Sequence, residues 1–174
     1  VYEYKLVVDG RWVPDGENER LIVGEVSTLF PVGRIGSGAF VYDAIEKNDN
    51  RKAIKHNQDS LQYINRVSHS EVELTIRVQK NDVESAFIHI IEDEVEEIYE
   101  LERVYDKTSG FEYFKRVVKL RINPENFNYY FELKDGVVSA FYGKDGFSYE
   151  VGVALTADYS SGSILQFFVS EWAK

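Results

Sequence analysis

The stretch EVELTIRVQ, residues 71–79, alternates between apolar and polar side chains along its whole length. Every second residue is β-branched or leucine, and the residues between them are polar or charged. Because successive side chains of a β-strand point to opposite faces, this pattern predicts an antiparallel strand with one buried face. The polar residues 80–82 are expected to end the strand in a turn.

Two further segments continue the same pattern towards the C-terminus. Residues 114–122 place Phe114, Val118, Leu120 and Ile122 on one face of a predicted strand. Residues 129–142 then form two β-prone runs on either side of Asp135-Gly136. An Asp-Gly pair supplies the positive φ angles of a tight hairpin turn, so these runs are predicted to pair.

The segment from Val83 to Val104 fits two patterns. Its apolar residues and abundant glutamates fit one face of a helix, and local propensity favours that interpretation. With a period of two, the same segment gives two strands around the acidic turn 92–94. Strands are predicted on both sides of the segment, so we expect strands here as well.

The N-terminus also has the pattern of a β-hairpin. Residues 1–14 contain an aromatic-rich run, the turn Asp9-Gly10 and a second short run, which resemble residues 129–136. An isolated hairpin is not stable in water, because at least three strands with a buried face are needed. The hairpin is therefore expected to pack on other residues. The sequence does not begin with methionine, which suggests that it is a piece of a longer protein.

Composition excludes several classes of function. The formal net charge is −10, and the basic residues are scattered singly, which disfavours nucleic acid and anionic membranes. The absence of cysteine excludes disulfides and thiolate metal sites. Aromatic residues make up 14% of the chain, and they favour both strands and the stacking of ligands on flat rings.

Motifs of catalysis and metal binding are poorly matched. Residues 36–41 imitate the glycine-rich loop of a protein kinase, but the third glycine is replaced by Val41 and the other kinase motifs are missing. We interpret this loop as part of a linker. The histidines have no metal-binding spacing, and no pair of carboxylates is singled out for glycoside hydrolysis. No cofactor is predicted, with calcium on acidic residues left as an alternative; those residues are Asp43, Asp49 and Asp59.

The aromatic side chains are the candidate binding residues. Trp12 follows the Asp9-Gly10 turn closely, where its ring is expected to be exposed and to stack on a glucose ring while Lys5 donates hydrogen bonds. Packing of Trp12 within its own module is the alternative. Four tyrosines are further candidates, and for them core packing is also open; they are Tyr63, Tyr113, Tyr130 and Tyr142.

Residues 1–15 resemble the closing hairpin of a glycogen-binding module, carbohydrate-binding module family 48. Lys5 and Trp12 match the glucan-contacting lysine and tryptophan of that family. Leu29 falls near the position of a further glucan-binding asparagine of the family, and only the last third of such a module is present. The resemblance implies that residues 1–35 are the C-terminal part of a glycogen-binding module.

Residues 53–148 resemble carbohydrate-binding module family 34, the N-terminal domain of neopullulanases, cyclomaltodextrinases and maltogenic amylases in glycoside hydrolase family 13. The matching stretches are 54–59, 72–83, 111–114, 129–133 and 142–147. The final residues 172–174 resemble those just before the first strand of the catalytic barrel in such enzymes. The catalytic acids of the family are therefore expected to lie outside this chain.

Together these resemblances imply an all-β chain with an immunoglobulin-like antiparallel sandwich at 53–150 and an extra N-terminal hairpin. Residues 36–52 would be a linker, and 151–174 would connect to an absent catalytic barrel. The expected function is non-catalytic: docking of α-glucan such as maltooligosaccharide, cyclodextrin or pullulan, or formation of a homodimer interface. The alternative is a purely structural domain that dimerises or docks on the catalytic domain through an apolar patch including Phe167, Phe168 and Trp172.

Overall fold

The computed structural model describes residues 6–8, 11–13, 35–42, 52–105 and 111–159. Within those ranges the regular structure consists of β-strands, and no residue is helical. No helix that could cross a membrane occurs in them either. The prediction of an all-β fold is therefore confirmed.

The strands form a hairpin and two antiparallel sheets. The N-terminal hairpin pairs β1 (Leu6–Val8) with β2 (Arg11–Val13). The larger sheet contains β5 (Ser85–Glu92), β6 (Val95–Glu100), β9 (Asn126–Asp135), β10 (Val138–Gly143), β11 (Gly146–Ser148) and β12 (Leu155–Asp158). Its order is β11-β10-β9-β5-β6, with β12 also paired to β9. The smaller sheet contains β3 (Ile64–Ser68), β4 (Glu71–Gln79), β7 (Glu102–Tyr105) and β8 (Phe111–Lys119), in the order β3-β4-β8-β7.

The two sheets enclose one hydrophobic core, as the alternation in 71–79 predicts. The four apolar residues of β4 are fully buried, and they belong to the same cluster as Ile88 on β5 and Phe131 on β9. Each buried side chain of this kind stabilises the fold by roughly 1.5–3 kcal/mol relative to exposure. An antiparallel β-sandwich is thus the observed architecture.

The ambiguous segment 83–104 forms strands. Asp93 and Glu94 have φ angles of 46° and 70°, so the two residues of this turn occupy the left-handed region that a two-residue hairpin requires. Helix propensity is overridden because Ile88 and Ile90 are buried in the core, whereas the glutamates of β6 lie at the edge of the sheet. Leu101, which is buried, follows β6 where the chain passes to the smaller sheet.

The predicted hairpin at 129–142 is also present, with its turn one residue later than predicted. Asp135 pairs with Val138, so the turn residues are Gly136 and Val137. Gly136 has a φ of 60°, which glycine adopts without strain. Asp135 therefore lies in β9 and not in the turn, and its side chain is fully buried.

Residues 35–42, which we call the strap, enclose the Asp135 carboxylate. This carboxylate accepts hydrogen bonds from the backbone N–H groups of Gly36, Gly38 (2.7 Å) and Ala39 (3.2 Å), and from the Ser37 hydroxyl (3.2 Å). Successive backbone N–H groups in a tight loop form an anion-binding concavity. The loop that imitates a phosphate-binding motif therefore binds an anion of its own chain.

The strap contacts the larger sheet and the loop that connects the two sheets. Its Val41 N–H donates to the Asp82 carboxylate at 2.8 Å, in the loop between β4 and β5. Phe40 and Tyr42 pack on Phe147 of β11, with ring centroids 6.0 and 5.1 Å apart. These residues fall within the predicted linker 36–52, and its boundaries stay a prediction.

Candidate functional site

The larger sheet has an outer face that points away from the core. On β9, even-numbered residues lie on this face and odd-numbered residues are buried. Tyr129 is therefore fully buried, whereas its neighbour Tyr130 is only partly covered. The outer face brings side chains of β6, β5, β9 and β10 side by side.

Tyr130 forms the aromatic centre of this face. Its ring stacks on the imidazole of His89, with centroids 4.3 Å apart and planes inclined by 15°. Phe141 of β10 approaches edge-on at 6.2 Å. The Tyr130 hydroxyl donates a hydrogen bond to Glu96 at 2.8 Å. Burial, together with this carboxylate, raises the pKa of Tyr130 to about 12, so the hydroxyl remains a donor at neutral pH.

His89 joins two carboxylates beneath this ring. Its Nδ1 lies 2.8 Å from Glu96 Oε1, and its Nε2 lies 3.2 Å from Glu132 Oε2. The Ser139 hydroxyl donates to the other oxygen of Glu132 at 2.9 Å. We call these four residues, together with Tyr130, the outer-face network; each of the strands β10, β9, β5 and β6 contributes at least one of the five.

Both carboxylates of the network have lowered pKa values. The hydrogen bond from Tyr130, followed by that from His89, lowers the pKa of Glu96. Burial alone would raise the pKa of Glu132, but hydrogen bonds from Ser139 and His89 outweigh it, and the pKa is lowered. At neutral pH both groups are therefore ionised and act only as acceptors.

This arrangement suits binding better than hydrolysis. A glycosidase needs one carboxyl group with a raised pKa to act as the acid, and neither Glu96 nor Glu132 has one. A recess beside Phe141 has a volume of about 40 Å³, room for a few waters but not for a sugar ring. Within the described ranges, no group of three His, Cys, Asp or Glu residues could hold a metal ion. Of the residues considered for calcium, Asp59 is exposed, and Asp43 and Asp49 lie outside the described residues.

A second histidine cluster lies inside the sandwich. His56 Nδ1 is 2.8 Å from the carbonyl oxygen of Thr75, and its Nε2 is 2.8 Å from the Tyr129 hydroxyl. Burial lowers the pKa of His56 to about 4. The imidazole is therefore neutral at pH 7, donating to Thr75 and accepting from Tyr129, whose own pKa is raised by burial.

Of the four predicted tyrosines, only Tyr130 lies in the outer-face network. Tyr63 is 5% exposed and packs edge-on against His56, which leaves no ring face for a sugar. Tyr142 points to the core side and donates to the His56 carbonyl at 3.3 Å, while Tyr113 lies on the smaller sheet and accepts from Gln62 at 3.2 Å.

The other two predicted residues, Lys5 and Trp12, belong to the N-terminal hairpin region. Lys5 lies outside the described residues, and Trp12 is described only as a backbone position that pairs with Val7 in the N-terminal hairpin. Their assignment as glucan contacts stays a prediction.

Sequence reasoning missed the partners of Tyr130. His89, Glu96, Glu132, Ser139 and Phe141 were not predicted as site residues. A signal for Phe141 was present, because any hairpin with a two-residue turn between β9 and β10 places Phe141 on the face of Tyr130 and Tyr142 on the opposite face. The contacts to β5 and β6 depend on pairing between distant strands, which the sequence does not specify.

Comparisons with known proteins agree with this architecture. A family model described as "Alpha amylase, N-terminal ig-like domain" matches residues 50–162. A solved cyclomaltodextrinase shares the fold with a TM-score of 0.54 at 17% identity, covering 61% of this chain and 19% of that chain. A maltogenic amylase from S. marinus aligns with a TM-score of 0.49 at 17% identity, covering 66% of this chain and 15% of that one. No curated protein matches. The chain thus spans about a fifth or less of the length of these two enzymes.

Proposed function

The chain belongs to the family of alpha amylase N-terminal Ig-like domains, and we propose that it holds α-glucan for a larger α-glucan-hydrolysing enzyme. The described residues contain no helix and so none of the alternating strands and helices of a catalytic barrel. The proposed part in hydrolysis is therefore docking of the substrate, with the catalytic acids elsewhere in the parent enzyme.

The observation that carries the proposal is the outer-face network around Tyr130. A flat ring next to the edge of Phe141 offers apolar surface to the C–H face of a sugar. Glu96 and Glu132 are ionised acceptors for sugar hydroxyls, and they already have fixed positions. One or two stacked sugars form a small contact, so the free energy of binding is expected to be about 4–6 kcal/mol.

Titration of the chain with β-cyclodextrin and with maltoheptaose tests this proposal. We expect calorimetric binding at millimolar ligand that is weakened about tenfold in Tyr130→Ala. The stacking of a nucleobase on an aromatic side chain, a contact of comparable area, contributes about 1–3 kcal/mol. Tyr105→Ala is the matched control, since Tyr105 is 60% exposed on the other sheet. No binding of the unaltered chain, or equal losses in both variants, would contradict the proposal.

The N-terminal hairpin is proposed as a second glucan contact. This proposal rests on the match of Lys5 and Trp12 to the glycogen-binding family, and it keeps residues 1–35 as the tail of such a module. Trp12→Ala is expected to weaken binding independently of Tyr130→Ala. If the two losses are not additive within about 0.5 kcal/mol, the sites are not independent.

A second candidate function is docking on a protein surface. Tyr149, Val151 and Val153 are 55–58% exposed and occupy alternate positions of the segment between β11 and β12. Exposed apolar side chains that lie close together mark interaction sites. The partner would be the catalytic domain or a second subunit. If the partner is a second subunit, Val151→Lys is expected to convert a dimer to a monomer in sedimentation with or without sugar; an unchanged sedimentation coefficient would contradict docking on a second subunit. The aromatic residues predicted for such a patch, Phe167, Phe168 and Trp172, lie outside the described residues.

A further inference from the structure

The outer-face network is organised around a histidine that sugar-stacking alone does not require. His89 is only 7% exposed although it lies on the outer face of the sheet. One face of its ring is covered by Tyr130, and both of its nitrogens are directed at carboxylate oxygens. Removing this one side chain would leave the ring of Tyr130 and two carboxylates without their shared neighbour.

We propose that His89 is the positioning residue of the glucan-binding surface, which it prepares for an uncharged sugar before any ligand arrives. This inference rests on the proposed function, because it concerns the same surface. His89 fixes the plane of the Tyr130 ring by stacking, and it fixes Glu96 and Glu132 by hydrogen bonds. A histidine in this position touches the binding side chains and not the ligand.

The hydrogen-bond geometry brings both nitrogens of His89 to carboxylate oxygens, Glu96 Oε1 at 2.8 Å and Glu132 Oε2 at 3.2 Å. Because ionised carboxylates accept hydrogen bonds, an N–H on either nitrogen finds an acceptor that is already in place. Lys134 lies 3.6 Å from Glu132 as well. The chain has a formal net charge of −10, which disfavours an anionic polysaccharide and is compatible with a neutral glucan.

Preorganisation is the physical benefit. A mobile glutamate or tyrosine loses side-chain freedom when it binds a ligand, and this loss weakens the complex. In the network, Tyr130 is held by His89 and Glu96, and Glu132 is held by His89 and Ser139. The side chains are therefore ordered during folding, and the glucan does not have to order them.

The test compares two histidine substitutions in the full chain. His89→Gln removes the stacked ring and at most one hydrogen bond, whereas His69→Gln changes an exposed histidine in the turn between β3 and β4. We expect calorimetric titration with β-cyclodextrin to show about tenfold weaker binding in His89→Gln and no change in His69→Gln. The NMR signals of the Tyr130 ring protons should also move in His89→Gln, because they lose the ring current of the imidazole.

A second variant keeps the test valid if His89→Gln does not fold. Ser139→Ala removes only the hydroxyl that orders Glu132, at the far end of the network, and binding is expected to weaken about two- to threefold. Should either folded variant bind β-cyclodextrin as tightly as the unaltered chain, the positioning role is wrong while glucan docking stands. An unaltered chain that does not bind at all would overturn both.

Discussion

Tyr129 and Tyr130 are neighbours on one strand, and each contacts a histidine on its own side of the larger sheet. Inside, Tyr129 meets His56 edge-on at 5.5 Å, and outside, Tyr130 stacks on His89 at 4.3 Å. Both histidines are 7% exposed. Inside, however, the imidazole nitrogens meet a carbonyl and a hydroxyl, and outside they meet two carboxylates. Exposure therefore does not distinguish His56 in the core from His89 in the proposed binding surface, whereas the charge of their partners does.

The largest expected difference between the two clusters is in stability. Tyr129→Ala opens a cavity in the core and leaves His56 Nε2 without its hydrogen-bond partner, so the free energy of unfolding should fall by about 4 kcal/mol. Tyr130→Ala removes a partly exposed ring and one hydrogen bond, and about 1 kcal/mol should be lost. Urea denaturation of both variants measures the difference. Equal losses would mean that the two faces of β9 are equally important for folding.

The buried His56 should make the stability of the protein depend on pH in the acid range. The pKa of His56 is lowered from 6.5 to about 4, so between these pH values the unfolded chain binds a proton that the folded chain excludes. Stability from this group is complete above pH 6.5 and is lost as the pH falls towards 4, by about 3 kcal/mol in total. His56→Gln is expected to lack this slope.

Unfolding free energies at pH 7.5 and 4.5 provide the measurement. The carboxylates contribute to both proteins, so only the difference between the unaltered chain and His56→Gln reports on His56. If the free energy of unfolding falls equally in both proteins between pH 7.5 and 4.5, folding does not lower the pKa of His56, and this prediction is wrong.

The carboxylates of β9 extend the comparison. Asp135 is buried and is bound by the strap, whereas Glu132 lies in the outer-face network. Asp135→Asn should lower stability by about 2 kcal/mol, since charge-assisted hydrogen bonds are lost, and leave glucan binding unchanged in the folded fraction. Asp145→Asn, in the exposed turn after β10, is the control. Faster proteolysis within residues 35–42 should accompany the loss; strap cleavage at the unaltered rate would count against this anchoring.

The smallest effect is expected at the edge of the network. Glu96→Gln keeps an acceptor for the Tyr130 hydroxyl but removes the charge that faces His89. Stability should change by less than about 0.5 kcal/mol, and β-cyclodextrin affinity should fall about twofold. Glu100→Gln, an exposed residue of the same strand, is the matched control. A tenfold loss in Glu96→Gln would mean that this carboxylate, and not the ring of Tyr130, makes the largest contribution to binding.

The sequence predicts the sandwich well because its strands alternate regularly. The pattern of 71–79 and the hairpin at 129–142 predict β4, β9 and β10, and pairing on both sides decides the ambiguous segment that becomes β5 and β6. The site is predicted less completely. The two-residue turn of the β9–β10 hairpin determines which residues share a face, and it places Tyr130 and Tyr142 on opposite faces. The contacts of His89 to Glu96 and Glu132 depend instead on the order of β6, β5 and β9 in the sheet, which no local pattern encodes.

The strap shows a second limit of local patterns. From the sequence, residues 36–41 are interpreted as part of a linker, but in the structure the backbone N–H groups of Gly36 and Gly38 bind an anion. The anion is Asp135, about a hundred residues later in the chain. A loop motif specifies what it can bind, while the fold determines which group reaches it.

The most direct test of glucan docking is an NMR titration of the unaltered chain with β-cyclodextrin, which follows backbone and aromatic signals on both faces of β9. We predict saturable shifts at millimolar ligand that concentrate on Tyr130, Glu132 and Phe141, with little change at Tyr129 or on the smaller sheet. Shifts that are absent at saturating ligand, or that concentrate away from the outer face, would contradict the account.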